Sequence, residues 1–209
     1  RIRAMGSPRT DMFFSEEKLS EARERVYDAF PHLREKKLVL LAPTYRGRKV
    51  EDADYDFDKL DISGLTERLG EKYHIIAKWH PALYNNIKRG IVSDPVKGLG
   101  DRVTDASGYG DINDLLTVSD VLVTDYSSVI FEWALLDKPV VYFIYDIEQY
   151  RDSRGLYFDF EEYVYGRCAY DSGSMAEAIK AEEPELEKRA AFNQKFMSSC
   201  DGNSIERVI

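Results

Sequence analysis

Long hydrophobic runs, cysteines and histidines are all scarce in this 209-residue sequence. No apolar segment approaches the roughly 20 residues of a transmembrane helix, and the N-terminal region lacks the apolar stretch typical of a signal peptide. Two cysteines, Cys168 and Cys200, are too few for a disulfide framework and favour a reducing compartment. The histidines, His32, His74 and His80, are scattered without metal-ligand spacing. We therefore expect neither a metal nor another cofactor.

Glycine-rich phosphate loops and an excess of positive charge are also missing. The sequence contains neither a Walker loop nor a Gly-x-Gly-x-x-Gly fingerprint, and no strained elbow that would present a serine nucleophile to a histidine. With 29 Lys and Arg against 38 Asp and Glu, the net charge is −9. This balance argues against a nucleic-acid partner or a general anionic-membrane surface, although it is compatible with a local basic pocket.

The sequence does contain a regular alternation of short apolar runs with helical patterns. Hydrophobic residues make up 44% of the chain, which is enough for a substantial core. Continuous apolar runs between helices indicate parallel strands that are buried on both faces. We expect a single doubly wound α/β domain over residues 1–209, with four or five strands. The predicted strands are Leu38–Ala42, Tyr73–Trp79, Val121–Thr124 and Val140–Ile144, with a weaker strand around residues 102–104.

Local signals also mark helix ends and loops. Ser15 is expected to cap the first helix, and Asp111 to cap a short helix before the third strong strand. Residues 146–170 are rich in aromatic side chains without a clear period, and they are predicted to form a long loop. From Ser174 onwards the chain is predicted to be helical, with Pro184 opening the second of two helices.

A polar cluster separates a strand from a helix within residues 119–143, SDVLVTDYSSVIFEWALLDKPVVYF. Ligands of open parallel sheets lie beyond the carboxyl ends of the strands. A helix N-terminus there offers N–H groups to a phosphate, and Ser127 and Ser128 add hydroxyl donors. On these residues alone, helix capping by Asp125 or Ser127 is the simpler interpretation. Glu132, one turn after Ser128, could reach ribose hydroxyls.

Two other predicted strands also end in residues that suit phosphate. Lys78 and His80, in KWHP, alternate to the same side, where a cation and an imidazole suit a pyrophosphate or a proton transfer. Arg46, in APTYRG, could clamp a phosphate through two parallel hydrogen bonds. Each has a structural alternative, since His80 could simply end its strand before Pro81 and Arg46 could be a solvated loop residue. Their convergence with Ser127 at one sheet edge is more specific than any one of them.

The chain resembles, in the order and spacing of several segments, the CDP-glycerol glycerophosphotransferase family. These are the teichoic acid polymerases and primases of bacterial cell-wall synthesis. The segments are APTYRG, KWHP, DINDLLTVSDVLVTDYSSVIFEWALLDKPVVYF and YDIEQYRDSRGLYFDF, and GSPRTDMFF resembles the family's Gly-x-Pro-Arg-x-Asp junction. The resemblance implies a GT-B fold of two facing Rossmann-like halves, of which this chain is the C-terminal, donor-binding half. Residues 1–14 would be the junction to a missing N-terminal half, and residues 174–209 the C-terminal helices.

The resemblance also implies roles for individual residues. His80 corresponds to the family's functional histidine at the donor phosphates and would be the catalytic residue. Donor phosphate binding would fall to Arg46, Lys78, Ser127 and Ser128. The residues implied to contact the donor nucleotide or to shape its loops are Asn113, Thr124, Asp125, Glu132, Arg151 and Arg154.

The implied reaction transfers glycerol phosphate or ribitol phosphate from a CDP-linked donor, such as CDP-glycerol, to a polyol-phosphate or lipid-linked acceptor. The full-length protein would lie in the bacterial cytoplasm, peripheral to the inner face of the membrane, with membrane contact mainly through parts outside this chain. Two alternatives stay open. One is half of a GT-B glycosyltransferase or epimerase that uses a nucleotide sugar, and the other is a nucleotide-binding module without activity.

One departure from the family pattern concerns catalysis. The family's N-terminal half carries a Trp-His-Gly-Thr motif whose histidine is proposed as the catalytic base. The only Trp-His pair here is Trp79-His80, which is followed by Pro81 and belongs to the other motif. Donor binding, rather than catalysis, is therefore what we expect from this chain alone.

Overall fold

The structure is a computed structural model that describes residues 3–156 and 158–209. The first two residues of the predicted 1–14 junction, and Tyr157 of the predicted 146–170 loop, lie outside the described residues. The described part of the chain forms one six-stranded sheet with helices on both faces.

All neighbouring strands of the sheet pair in parallel, in the order β3-β2-β1-β4-β5-β6. The four predicted strands are confirmed and lie side by side, and the weak strand around residues 102–104 is present as β3. The sixth strand, β6, was not predicted. The strands are β1 Lys37–Leu41, β2 Tyr73–Ala77, β3 Val103–Asp105, β4 Val121–Thr124, β5 Val140–Phe143 and β6 Arg167–Ala169.

Helices connect the strands and cover both faces of the sheet. The Ser15 side chain accepts a hydrogen bond from the Lys18 N–H at 3.4 Å, and Asp111 caps α5 in the same way through the Asn113 N–H, as the sequence predicted. The α-helices are α1 Glu16–Ala29, α2 Phe57–Leu60, α3 Ile62–Leu69, α4 Pro81–Lys88, α5 Ile112–Val118, α6 Val129–Trp133, α7 Ile147–Arg154, α8 Phe160–Tyr163, α9 Ser172–Ala181, α10 Leu186–Phe196 and α11 Ser204–Val208. Short 3-10 helices occupy Pro8–Phe14, Pro31–Leu33 and Gly100–Arg102.

The sheet separates two apolar clusters, which explains the continuous apolar runs in its strands. Leu38 and Leu40 of β1 belong to the cluster beneath α1, α5 and α6, whereas Val39 and Leu41 belong to the cluster on the opposite face, beneath α3 and α9. All four side chains are almost completely buried. A central parallel strand therefore needs apolar residues on both sides.

Two parts of the sequence prediction are wrong. Residues 146–170 are not one loop, since they contain α7, α8 and β6. Tyr150, Phe160 and Tyr165 of this segment pack inward and are buried, but the short elements are separated by polar turns that obscure any period. Pro184 does not open a helix, because α10 begins two residues later, after Glu185.

The strand order creates a crevice between β1 and β4. From β1 the chain moves outward through β2 and β3, and it then returns to the other side of β1 and continues outward through β5 and β6. The loops that follow β1 and β4 therefore leave the sheet in different directions. Open α/β sheets bind their ligands at such a switch point.

Candidate functional site

A groove of about 570 Å³ lies at the carboxyl ends of β1, β2 and β4, at the switch point. We call it the strand-end groove. Four loops line it, namely residues 42–45 after β1, 78–81 after β2, 110–112 after β3 and 126–128 after β4, together with Arg154 of α7. The structure thus brings together Lys78, His80, Ser127 and Ser128, which the sequence had placed on separate strands.

Ser127 and Ser128 combine a capping role with available hydroxyl groups. The Ser127 Oγ accepts a hydrogen bond from the Val129 N–H at 3.3 Å, so its own proton is still available to donate. Ser128 is exposed and is the N-cap residue of α6, but its side chain makes no capping hydrogen bond. Because α6 has only five residues, its dipole attracts phosphate less than that of a longer helix would.

His80 is held as a neutral imidazole with a defined tautomer. It is the N-cap residue of α4, and its Nδ1 accepts a hydrogen bond from the Ala82 N–H at 3.2 Å. The proton of the neutral ring therefore sits on Nε2. Partial burial lowers the pKa of His80, and the positive charge of Arg154 lowers it further. At neutral pH the ring can donate one hydrogen bond from Nε2 without carrying a charge.

The Tyr45 ring contacts both His80 and Arg154. The centroids of the Tyr45 and His80 rings lie 4.7 Å apart. The Arg154 guanidinium lies 4.6 Å from the centroid of the Tyr45 ring. Arg154 also donates to the Gly47 carbonyl at 2.8 Å. Arg151, which the resemblance had grouped with Arg154, does not line the groove; it lines a separate cavity beside α10 and pairs with Glu148 at 3.6 Å.

Lys78 lines the groove but already has backbone partners. Its Nζ donates to the carbonyls of Ser107 at 3.2 Å and Tyr109 at 2.5 Å, and so holds the loop that follows β3. Burial lowers the pKa of Lys78, although the nearby carboxylates of Asp105 and Asp111 oppose this effect.

Arg46 is not positioned as the phosphate clamp that the sequence suggested. Its guanidinium donates to Asp146 at 2.5 and 2.9 Å, to Asp125 at 2.9 Å and to the Thr44 carbonyl at 2.6 Å. Asp125 is completely buried and also accepts from the Thr44 and Tyr126 N–H groups, both at 2.7 Å. This ion cluster ties together the loops that follow β1, β4 and β5. Four tyrosine rings surround the guanidinium at 5.0 to 5.8 Å, those of Tyr55, Tyr126, Tyr145 and Tyr150.

The other residues implied by the resemblance flank the groove instead of lining it. The Thr124 hydroxyl donates to the Ala42 carbonyl at 2.7 Å and joins β4 to β1. Asn113 is buried in the first turn of α5, where its Oδ1 has no hydrogen-bond partner. Glu132 is buried beside Arg9 at 3.1 Å and lines a neighbouring cavity together with Ser128. Burial raises the pKa of Glu132, and Arg9 opposes that rise.

The sequence interpretation overlooked Thr44 and Tyr45. The Thr44 Oγ1 is buried and has no hydrogen-bond partner among the described residues, and Thr44 lines the groove together with the Ser127 loop. Such an orphan hydroxyl is uncommon, and a bound ligand or an ordered water can supply its partner. The signal was present in the segment APTYRG, in which only Arg46 was singled out.

No group of three or more His, Cys, Asp or Glu side chains within residues 3–156 and 158–209 could hold a metal ion. In the same part of the chain, no helix combines the length and apolar character that crossing a membrane requires.

Comparison with known proteins gives a consistent family assignment. The family model described as CDP-glycerol:poly(glycerophosphate) glycerophosphotransferase matches residues 1–209. The teichoic acid poly(ribitol-phosphate) polymerase of Bacillus spizizenii is 40% identical over 206 residues, which cover 99% of this chain and 32% of that protein. The teichoic acid glycerol-phosphate primase of Bacillus subtilis is 32% identical, over 98% of this chain and 49% of its own length.

Solved structures agree with this assignment. The wall teichoic acid polymerase TagF superimposes with a TM-score of 0.78 at 29% identity, over 100% of this chain and 50% of its own. A UDP-GlcNAc 2-epimerase from Methanocaldococcus jannaschii gives a TM-score of 0.58 at 19% identity, which shows a shared Rossmann-like fold alone. The chain spans about a third of the ribitol-phosphate polymerase and about half of the primase and of TagF. It belongs to the CDP-glycerol:poly(glycerophosphate) glycerophosphotransferase family.

Proposed function

We propose that this chain binds the CDP-linked donor of a polyol-phosphate transferase in teichoic acid synthesis. In this proposal it is the C-terminal half of a GT-B enzyme, with the strand-end groove facing a second half. The observation that carries the proposal is the grouping of His80, Ser127, Ser128 and the orphan Thr44 hydroxyl around one groove at the switch point.

The donor's diphosphate is the part that best fits these residues. Hydroxyl groups of Thr44, Ser127 and Ser128, and the Nε2–H of His80, are donors that match phosphate oxygens. Positive charge comes from Arg154 and Lys78 at the groove walls. The Asp125 carboxylate does not oppose this, because it is buried and paired with Arg46, whereas the Asp111 carboxylate adds negative charge at the loop of residues 110–112.

In this proposal the donor's nucleoside occupies the end of the groove that residues 110–112 form. Lys78 holds the chain just before this loop through hydrogen bonds to the Ser107 and Tyr109 carbonyls. Asn113, whose Oδ1 is orphaned, lies directly behind this loop. Glu132 lies next to Ser128 and is the carboxylate that could accept hydrogen bonds from the ribose hydroxyls.

The reaction proposed for the complete enzyme is attack by an acceptor hydroxyl on the donor's β-phosphorus. A new oxygen–phosphorus bond forms, the bond to the bridging oxygen breaks, and CMP leaves. His80 and Arg154 would stabilise the charge on the transferring phosphoryl group, so the protein contributes positioning and electrostatics. Because the neutral His80 already carries its proton on Nε2, the base that takes the acceptor's proton is expected outside this chain.

The relatives support this choice of donor and acceptor class. They are named as ribitol-phosphate polymerases and glycerol-phosphate primases, and one TagF structure was obtained after a soak with CDPG. In the proposed full-length protein, contact with the inner face of the membrane lies mainly outside this chain.

Calorimetry on a double variant tests the proposal. Ser127→Ala with Ser128→Ala removes two hydroxyl donors, and each bond to a charged group is worth about 1.5–3 kcal/mol. The affinity for CDP should therefore fall about tenfold or more, whereas weak binding of cytidine, which lacks phosphate, should not change. The matched control is Ser20→Ala with Ser63→Ala, since both serines are exposed in helices away from the groove.

Two results would contradict the proposal. Unchanged CDP affinity with a lower melting temperature would show that the serines only cap α6. Tighter binding of UDP than of CDP by the wild-type chain would indicate a nucleotide-sugar enzyme instead.

A further inference from the structure

A second and larger cavity, of about 700 Å³, opens beside the strand-end groove. We call it the acidic–aromatic cavity, since its walls are the segment 54–58, which contributes three aspartates, and the rings of Tyr145 and Tyr150. Arg154 lines both this cavity and the strand-end groove. Apart from Arg154, none of the residues proposed above to bind the donor lines this cavity.

A closed loop after β1 builds the acidic wall. The Arg46 N–H donates to the Asp54 carbonyl at 2.7 Å, and the Asp54 N–H donates to the Arg46 carbonyl at 3.0 Å. Gly47 makes this closure possible with a φ of +108°, and a Cβ there would lie 2.2 Å from the Asp52 carbonyl oxygen. The loop thus presents Asp54 and Tyr55 from a fixed backbone.

Tyr55 provides independent evidence for a ligand. It is 4% exposed and lines the cavity, and its hydroxyl has no hydrogen-bond partner within residues 3–156 and 158–209. Its ring is fixed 5.0 Å from the Arg46 guanidinium and 6.1 Å from the Tyr145 ring centroid. A buried hydroxyl that is held rigidly and left unpaired is costly unless something that binds there completes it.

The chemistry of the residues that line the cavity indicates which class of ligand would bind there. Carboxylates of Asp56 and Asp58 accept hydrogen bonds from hydroxyl groups, and tyrosine faces pack against C–H groups, so the interior suits a polyol. The same carboxylates repel phosphate. The cations Arg48 and Arg154 lie in the lining as well, and Asp146 adds little negative charge because Arg46 pairs with it. Hydroxyl-rich units that alternate with phosphates match this arrangement.

We infer that the acidic–aromatic cavity binds a hydroxyl-rich unit of the polyol-phosphate acceptor, with the adjoining phosphates at Arg48 and Arg154. This inference rests on the proposed function and extends it to the acceptor. Because Arg154 is shared, an acceptor held here would end beside the donor's diphosphate in the strand-end groove. Donor and acceptor should therefore bind at the same time.

The probe for this site is a synthetic tetramer of glycerol phosphate, titrated into the chain with and without saturating CDP and followed by NMR. Tyr55→Phe removes only the orphan hydroxyl, and Asp58→Asn removes one carboxylate for which no ion pair is seen in the described chain. We expect the dissociation constant of the tetramer to rise about threefold to tenfold in the first variant and about tenfold in the second. CDP binding should be unaffected in both.

Controls separate this site from the donor site. Asp28→Asn makes the same charge change in α1, far from the cavity, and should leave tetramer binding unchanged. The Ser127→Ala and Ser128→Ala double variant should lose CDP affinity but keep tetramer affinity. If the wild-type chain fails to bind CDP but binds the tetramer through Tyr55 and Asp58, the donor assignment is wrong and the polyol site still holds.

Four outcomes would overturn the inference. The first is no binding of the tetramer to the wild-type chain at millimolar concentration. The second is binding that neither variant weakens. The third is displacement of the tetramer by CDP, which would make the cavity part of the donor site. Binding of inorganic phosphate with equal affinity would also overturn it, because the polyol would then contribute nothing.

Discussion

At the scale of single residues, the position of a polar side chain was predictable and its partner was not. The sequence placed Arg46 correctly at the end of a strand, but its partners are carboxylates 79 and 100 residues further along the chain. A strand-end arginine looks the same in sequence whether it faces a ligand or a buried aspartate. Thr44 shows the converse, since its importance is visible only once its hydroxyl is found buried and unpaired.

The Arg46 cluster leads to a prediction about stability. Arg46→Met would leave Asp125 and Asp146 unpaired, and Asp125 is completely buried. Removing one partner of a buried ion cluster typically costs about 3–5 kcal/mol, and we expect a loss of this size in the free energy of unfolding measured with urea. Arg48→Met, on the exposed neighbour, should change it by less than about 0.5 kcal/mol.

A second variant tests the cause of that loss. Adding Asp125→Asn to Arg46→Met removes one of the unpaired charges, so part of the lost stability should return. A loss below about 1 kcal/mol in the single variant, which is the range of surface ion pairs, would show that solvent reaches the cluster.

At the scale of elements, the accuracy of prediction followed the strength of the local pattern. Strands that contain a continuous apolar run, such as β1 and β4, were predicted within about a residue of their ends, and the N-terminal cap of α1 was predicted at the correct residue. β6 and α8 were missed because neither contains such a run. Such short elements gain their stability from packing against the sheet, which no local window of sequence shows.

A contact between elements at the opposite edge of the sheet makes stability depend on pH. His74 of β2 is buried, and its Nε2 lies 2.8 Å from the Thr104 Oγ1 of β3. His32, in the 3-10 helix Pro31–Leu33, lies 2.8 Å from the same oxygen. The pKa of His74 is lowered to about 4, chiefly by burial and to a smaller extent by His32 and Lys36, against the opposing effect of Asp101.

The sign of the effect follows from the two pKa values. In the unfolded chain His74 titrates near its ordinary pKa of 6.5, so between pH 6.5 and 4 the unfolded state binds a proton that the folded state does not. Stability should therefore fall as the pH drops through this window. At 1.36 kcal/mol per unit of pKa, the loss amounts to at most about 3 kcal/mol.

Urea unfolding at pH 7, 6, 5 and 4 measures this dependence. His74→Gln keeps a side chain that can bond Thr104 but does not titrate, so the variant should show a shallower slope between pH 6.5 and 4. If the wild type and His74→Gln lose stability in parallel, then other groups carry the acid sensitivity.

At the scale of the whole molecule, the His32–Thr104–His74 contact and the residues of the strand-end groove lie at opposite ends of the parallel strands. The His32–His74 contact lies toward the amino ends of the strands, whereas His80, Ser127 and Thr44 lie at the carboxyl ends. This polarity was predictable, because parallel strands bring all their carboxyl ends to one edge. The acidic–aromatic cavity was not, because it depends on the path of the loop from Arg46 to Asp54, which crosses space that no strand pattern defines.

The same polarity predicts what the chain does when it is separated from any partner half. The strand-end groove offers hydrogen-bond donors, but His80 donates through Nε2 and accepts through Nδ1 from Ala82, so it is not available to take a proton from an acceptor. The other histidines lie at the far edge of the sheet. Of the nearby carboxylates, Asp125 is buried and paired with Arg46, and Asp111, which lines the groove, accepts from the Asn113 N–H as the cap of α5. We therefore expect this 209-residue chain to bind CDP without transferring a polyol phosphate.

The release of CMP from CDP-glycerol and from CDP-ribitol, with a glycerol phosphate tetramer as acceptor, should stay at the rate measured without protein. Calorimetry on the same preparation should detect binding of CDP. Restored turnover after fusion to the N-terminal half of a family member would place the missing base in that half. Turnover by the isolated chain that His80→Ala abolishes would instead make His80 the base, and the tautomer assigned here would be wrong for the bound state.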